Sequence, residues 1–511
     1  MKRGTLTSLF LALALTLSLA ATASAAGTET AAAQNRTAQY VFAAVSAPQV
    51  GSIGGEWAII GLAGSGASAP EGYFDGYYAA AVKYVKARGG VLSGVKYSEY
   101  SRVVLALTAV GRDPENVGGF DLVSPLCDYD KVIKQGLNGP VFALLALDSG
   151  AYAQNTAPRE KYLSYILGRA LPGGGWAASG TAADPDLTAM ALQALAKYSG
   201  RAEVSAAIKS ALSALSAAQK ADGGFSSAGA ENSESVSQVV TALCMLGISP
   251  DDSRFVKNGK GLLDCLLGYE APGGGFRHAT EGYVNEMATE QALCALDSVM
   301  DLQSGGSGIY RMSGRAPAIA VPPVKNAAAS YSDISADENK TAIEALASRG
   351  IISGTGNGLF TPGRTVTRAE LAAMTVKAMG LTPVATGAFS DVPSGAWYAR
   401  SVDCAASYGI VRGTGGGKFS PNAPVTRQEA AVMLTKAVKL AGMDTAVSDA
   451  RSVLAAYPDG ASAAPWARDA LAFCLENGAL GASRGIRPAE GAARSETAGM
   501  IYGVLRAAKL I

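Results

Sequence analysis

Leu171–Leu195, LPGGGWAASGTAADPDLTAMALQAL, reads as a glycine turn, an aromatic plug, a short loop ending in acids and then an amphipathic helix. Glycine permits backbone angles that other residues resist, and the aromatic after it can pin the turn to a neighbour. Weaker copies recur between residues 50 and 300. The helix starts line up at Glu56-Trp57-Ala58, Glu99-Tyr100-Ser101, Asn138-Gly139-Pro140, Asp186-Leu187-Thr188, Glu234-Ser235-Val236 and Glu286-Met287-Ala288. A spacing of about 40 to 50 residues holds two helices and two loops per repeat. Glycine turns precede three of them: Gly173-Gly174-Gly175-Trp176, Gly223-Gly224-Phe225 and Gly273-Gly274-Gly275-Phe276. Second helices, such as 202–220 and 256–267, carry apolar residues at three- and four-residue intervals. The pattern predicts an all-α region of six helical hairpins over 40–312.

The surrounding composition limits the function. Met1-Lys2-Arg3, the apolar run Leu9–Ala21 and Ala23-Ser24-Ala25 have the order of a secretory signal over 1–25, too short for a comfortable membrane span. No later stretch is long and apolar enough to cross a bilayer, so the mature chain is expected to be exported, without a membrane span. The 511 residues carry a formal charge of +1 and only 17% charged side chains, which gives no electrostatic case for nucleic acid. Cys127, Cys244, Cys265, Cys294, Cys404 and Cys474 form no C-x-x-C pair, and their repeated places on apolar helix faces favour buried small hydrophobes. His278 is the single histidine, so chemistry needing two imidazoles is excluded.

The glycine–aromatic turns, with Gln219-Lys220-Ala221-Asp222-Gly223-Gly224-Phe225 the fullest, resemble the Gln/Trp-type repeats of the prenyltransferase and squalene-cyclase superfamily. That resemblance implies an α6/α6 toroid over 26–312, six inner helices ringed by six outer ones. Runs such as Gln135–Pro140 and Met287–Gln291 look like the toroid domains of bacterial surface proteins. The inner helices would then meet at one mouth, with Glu56, Trp57, Glu99, Asn138, Asp184, Asp186, Glu234, Gln238, Glu286 and Glu290 as candidate ligand contacts. The same acids also suit helix N-termini simply as caps. For terpene-cyclase chemistry the candidates are Asp186, at the position matching a class II proton donor, and Asp184. In Asp184-Pro185-Asp186-Leu187-Thr188-Ala189, however, Leu187 replaces the next aspartate of that motif. A zinc site of the protein-prenyltransferase kind lacks its ligands, and the β domain that closes cobalamin carriers has no counterpart. The reading is therefore a toroid with no metal and no cofactor, binding an amphiphilic ligand without catalysis. The alternatives are a glycan-cleaving enzyme, glycoside hydrolase or lyase, and a degenerate cyclase.

Pro, Ala and Gly without period make 313–328 a linker. A second repeat then occurs three times, over 329–386, 387–446 and 447–511. It opens at Tyr331-Ser332-Asp333, Phe389-Ser390-Asp391 and Tyr457-Pro458-Asp459. It turns at Phe360-Thr361-Pro362, Phe419-Ser420-Pro421 and Ile486-Arg487-Pro488, and closes at Thr367-Arg368-Ala369-Glu370, Thr426-Arg427-Gln428-Glu429 and Ala493-Arg494-Ser495-Glu496. Thr-x-x-Glu is a capping box, and the arginine inside it sets a cation beside a helix N-terminus. These features resemble the S-layer homology family. The likeness implies a pseudo-threefold helical triplet on a bacterial cell-surface protein, holding secondary cell-wall polysaccharide, often pyruvylated. By that likeness Arg368, Arg427 and Arg494 would meet a carboxylate, Asp333, Asp391 and Asp459 would bind hydroxyls, and Trp397 and Trp466 would flank a sugar ring. The expected setting is secreted, at the cell wall or S-layer surface.

Overall fold

A computed structural model describes residues 28–150, 152, 157–227, 229–306, 308–312, 319, 321–325, 331–383, 385–483 and 485–511. The expected signal peptide and most of the 313–328 linker lie outside these residues. The protein is mostly helical, and its paired strands among the described residues are the two-residue β1 (Ser226–Ser227) and β2 (Ala230–Glu231), antiparallel with Ser226 opposite Glu231. It divides into two compact units, 1–80, 91–109 and 122–313 in one, and 81–90, 110–121 and 314–511 in the other.

In the first unit the helices are α1 (28–44), α2 (Trp57–Ser65), α3 (Tyr73–Ala87, whose last turns fall in the second unit), α4 (Ser98–Ala109), α5 (Tyr129–Val132), α6 (Asn138–Ser149), α7 (Ala157–Gly168), α8 (Pro185–Leu195), α9 (Ala202–Ala218), α10 (Ser233–Met245), α11 (Leu262–Leu267) and α12 (Glu286–Gln303). The even-numbered helices that follow the six repeat starts pack in a closed cycle: α2 on α4, α4 on α6, α6 on α8, α8 on α10, α10 on α12, and α12 back on α2. Small residues make that last contact possible. A Cβ on Gly61 would lie 3.0 Å from the Leu293 side chain, and one on Gly64 2.5 Å from Asp297 Oδ2. Outside the cycle, α7 packs on α6, α9 on α8 and α11 on α10. The helix 28–44 lies beside α12, through Gln34 Nε2 donating to Asp297 Oδ1 at 2.8 Å, and Arg36 pairs with Glu270 after α11 at 2.8 Å.

The glycine turns are built alike. Leu171 N–H donates to Gly175 O at 2.9 Å and Ala271 N–H to Gly275 O at 2.7 Å. Gly174 holds φ +89, and a Cβ there would fall 2.4 Å from Ser210 O, so the position tolerates only glycine. The plugs Trp176, Phe225 and Phe276 are fully buried. Trp176 also donates its indole N–H to Ile166 O at 2.7 Å, and its backbone N–H to Thr188 Oγ1 at 2.9 Å; Phe276 repeats the latter bond with Thr289 at 2.9 Å. The turn is thereby tied to the first turn of the helix that follows. Cys244 and Cys294 are buried small residues on α10 and α12, and no disulfide forms among the described residues.

The second unit holds α13 (Lys340–Ser348), α14 (Arg368–Ala378), α15 (Ala399–Ser407), α16 (Arg427–Leu440), α17 (Ala450–Ala455), α18 (Arg468–Glu476) and α19 (Arg494–Ala507). The contacts run in rotation: α14 on α15, α16 on α18, α19 on α13, with α14, α16 and α19 touching one another. The segments before those three helices close a triangle of backbone bonds, Val366 N–H to Ala492 O at 3.0 Å, Val425 N–H to Val366 O at 3.0 Å and Ala492 N–H to Val425 O at 2.9 Å. Phe360, Phe419 and Ile486 are buried in one continuous core. Capping boxes with a side-chain acceptor start α14 at Thr367/Glu370 and α16 at Thr426/Glu429. Ala493 lacks a hydroxyl to accept at the start of α19, so only Glu496 reaches back there, to Ala493 N–H at 3.0 Å.

Candidate functional site

At the starts of α8, α10 and α12 the helix caps are Asp184, Asn232 and Asn285, whose side chains accept from Leu187 N–H at 2.9 Å, Ser235 N–H at 2.7 Å and Ala288 N–H at 3.0 Å. Asp186, Glu234 and Glu286 sit in the first turns after them and are not caps. Glu234 accepts from His278 Nδ1 at 2.9 Å, and both line a cavity of about 570 Å³ with Ile53, Val284, Asn285, Glu286 and Met287. Asp184 also accepts from Ser227 Oγ at 2.9 Å. Burial raises the Asp186 carboxyl above the ordinary aspartate value. Glu56 is fully buried, accepting from Gly51 N–H at 2.9 Å and Tyr77 OH at 3.3 Å and pairing with Arg102 Nε at 3.4 Å. Glu290 accepts from Gly54 N–H at 2.8 Å. Burial pushes both carboxyls up to about 7, against the pull of Arg102 on Glu56 and of the Gly54 N–H on Glu290. Glu234, Glu286 and the loop carrying Ile53 are therefore brought together. Glu99 and Asn138 stand at the starts of α4 and α6, tied to each other's neighbourhood by Ser98 N–H donating to Gln135 at 2.8 Å, and line no part of that cavity.

Trp57 and Gln238 each lie four residues before a small buried residue, and Arg102, Phe142, Met190 and Gln291 share that spacing. All six are half-buried on helices whose next residues are buried. Trp57 and Phe142 meet at 5.9 Å between ring centres, and Gln193 donates its amide N–H to Gln238 at 2.8 Å and Gln238 in turn to Gln291 at 3.1 Å. One turn further along, Gly61, Ala106, Ala146, Ala194, Ala242 and Ala295 are all small and buried. Tyr310 approaches Trp57 at 6.4 Å and sits with Leu145, Gln193, Ala194 and Met245, near the ends of the same helices, where Met312 N–H donates to Ser149 O at 2.9 Å. The sequence reading missed Arg102, the His278–Glu234 contact and Tyr310. The register of repeats held the signal for Arg102; Tyr310 follows the last repeat and carries none.

In the second unit the three motif arginines are buried, at 7%, 1% and 6% exposure for Arg368, Arg427 and Arg494. Each reaches into the next repeat. Arg368 donates to Phe419 O at 3.0 Å and Arg412 O at 3.1 Å, Arg427 to Ile486 O at 2.8 Å and Gly481 O at 2.6 Å, Arg494 to Phe360 O at 3.0 Å and Ser353 O at 2.7 Å. Arg368 pairs with Glu429 at 2.9 Å and Arg427 with Glu496 at 2.7 Å. The matching acid for Arg494 is Glu370, and it pairs with Arg364 at 2.6 Å. The aspartates hold the same turns from the other side: Asp333 accepts from Phe360 and Thr361, Asp391 from Phe419 and Ser420, Asp459 from Ile486 and Arg487, all between 2.7 and 2.9 Å. Those backbone N–H groups keep Asp333 and Asp459 below the usual carboxylate range. They fix Thr361, Ser420 and Arg487 at positive φ. Trp397 and Trp466 are the exposed members, at 70% and 60%. Trp397 lines a groove of about 240 Å³ with Arg364, Glu370, Lys377 and Arg494.

The S-layer homology domain family matches residues 330–372 and 388–431, the first two of the three repeats. An exoglucanase XynX of Acetivibrio thermocellus is 34% identical over 178 residues, 34% of this chain and 16% of that protein. A surface-layer 125 kDa protein of Lysinibacillus sphaericus is 31% identical over 185 residues, 35% of this chain and 15% of its own length. The S-layer protein sap of Bacillus anthracis is 35% identical over 124 residues, 24% and 15%. The chain thus spans less than a fifth of the length of these relatives. It carries S-layer homology repeats and is a secreted protein of the cell wall or S-layer surface.

Proposed function

We propose that the repeats over 329–511 form a pseudo-threefold triplet that anchors the protein non-covalently to secondary cell-wall polysaccharide, favouring a pyruvylated sugar. The observation that carries this reading is the groove where exposed Trp397 stands beside Arg364, Lys377 and Arg494, three cations against the one acid Glu370. A sugar ring can lie on the indole while a ketal carboxylate meets the cations. The buried arginines keep the turns in place around the groove. The test is co-sedimentation of the full chain with purified cell walls. Binding is expected to intact walls and lost once the polysaccharide is stripped; equal pelleting with stripped walls would refute the reading.

The first unit we read as an α/α toroid that binds an amphiphilic ligand at its mouth without catalysis. Support comes from the closed helix cycle and from the mixed register of Trp57, Phe142 and Met190 with Arg102, Gln238 and Gln291. The second reading, a glycan-cleaving unit, draws on Glu234 and Glu286 lining one cavity. Release of reducing ends from wall glycan by the full chain, lost in Glu234→Gln, would favour that second reading. Binding of the dye anilinonaphthalene sulfonate, weakened by Trp57→Ala and without reducing-end release, supports the first.

A further inference from the structure

The loop between α1 and α2 is held in an unusual way. Gly51 and Glu56 bond to each other twice, Gly51 N–H to Glu56 Oε1 and Glu56 N–H to Gly51 O, both at 2.9 Å. Gly54 at the loop tip has φ +67 and donates to Glu290 across the ring closure. Ile53 beside it is 43% exposed and forms one wall of the 570 Å³ cavity. Glu56 has a cation, Arg102, and two further donors. Glu290 is 2% exposed, and its second oxygen, Oε2, is buried with no hydrogen-bond partner among the described residues. A buried carboxyl that is half satisfied and holds a loop by one amide is a costly arrangement when ionised.

We propose that the loop Gly51–Glu56 is a proton-controlled gate on the mouth cavity, latched when Glu290 is protonated and released when it ionises. The groups facing Glu290 set the sense of the switch. Glu286 on its own helix and Glu56 at the end of the loop repel its negative form; Tyr73 and Tyr77 on α3 are neutral; Arg102 on α4 is engaged by Glu56; Glu234 and His278 stand across the cavity. Burial first, then the like charges, carry the Glu290 carboxyl from 4.5 to about 7 in the latched state. In the released state the side chain reaches water and regains its ordinary value. Opening therefore gives up a proton between these two values. The latch is firm below the lower value and weakens as pH rises through the upper one.

The inference needs no ligand, and its test is hydrogen exchange of the Gly54 amide in the full chain, corrected for the intrinsic rate. Protection is expected to fall roughly tenfold per pH unit from about pH 5 to about pH 7 and then level off. Glu290→Gln keeps the shape and removes that carboxyl's titration, leaving Glu56 as the raised carboxyl on the loop, so the slope should be clearly shallower than in the unaltered protein. Protection that is independent of pH in the unaltered protein, or a slope undiminished in Glu290→Gln, would overturn the gate. Should Glu290→Gln not fold, Glu286→Gln supplies the check: removing a repelling charge should move the midpoint to lower pH, and an unmoved midpoint counts against the proposal.

Discussion

Arg427 shows how one side chain can join two repeats. Its guanidinium is 1% exposed and serves two backbone carbonyls and Glu496. Truncation strands that carboxylate and both carbonyls, so Arg427→Ala should cost about 3–5 kcal/mol in denaturant unfolding. Lysine cannot reproduce the fork, and Arg427→Lys should recover only part of that loss. A loss below about 1 kcal/mol would show that the arginine is not a brace. The sequence marks these arginines by their place in a capping box, and the family likeness implies a sugar carboxylate for them. Which carbonyls of the next repeat come within reach is a tertiary fact that no local spacing encodes. At the same scale Glu56 and Glu290, both raised to about 7, bind protons more tightly folded than unfolded. Their contribution to the stability of the first unit is therefore full below about pH 4.5 and is lost as pH rises through about 7. Thermal unfolding should fall by several degrees over that range in the unaltered protein and by less in Glu290→Gln.

At the level of helices and turns, the repeats were readable because each obeys a local rule. Glycine turn, aromatic plug and acid-led helix recur in order, and the structure uses them in order: Gly174 in the turn, Trp176 beneath it, Thr188 tying plug to helix. Removing the plug leaves a cavity, so Trp176→Ala should destabilise by about 3–5 kcal/mol. The closure between α2 and α12 rests on Gly61 against Leu293. Gly61→Leu should cost about 1–3 kcal/mol through overpacking, measured by urea unfolding. The same change at Gly76, exposed on α3 where a Cβ meets open space, should cost nothing. Less was readable where no repeat marks the residue. The helix 28–44 lies before the first repeat start, and its bond to Asp297 and its packing on Gly274 and Gly275 place it beside α12 and the turn before it. The acids were legible as a group, but their division into caps and cavity walls was not, since Asn232 and Asn285 take the caps.

For the whole molecule, the two compact units draw on two repeat families: one builds the groove beside Trp397, the other a closed helix cycle. Breaking of the threefold pattern matters for the first. Arg364 stands where the other repeats have Ala423 and Glu490, and by taking Glu370 it leaves the groove beside Trp397 with an excess of positive charge. The most direct measurement is calorimetric titration of the full chain with released wall polysaccharide, before and after removal of its pyruvate ketals. The account predicts that removing the ketals, or changing exposed Trp397 to alanine, weakens binding about tenfold or more with no change in unfolding temperature. Equal affinity for both polymers, undiminished in Trp397→Ala, would contradict it.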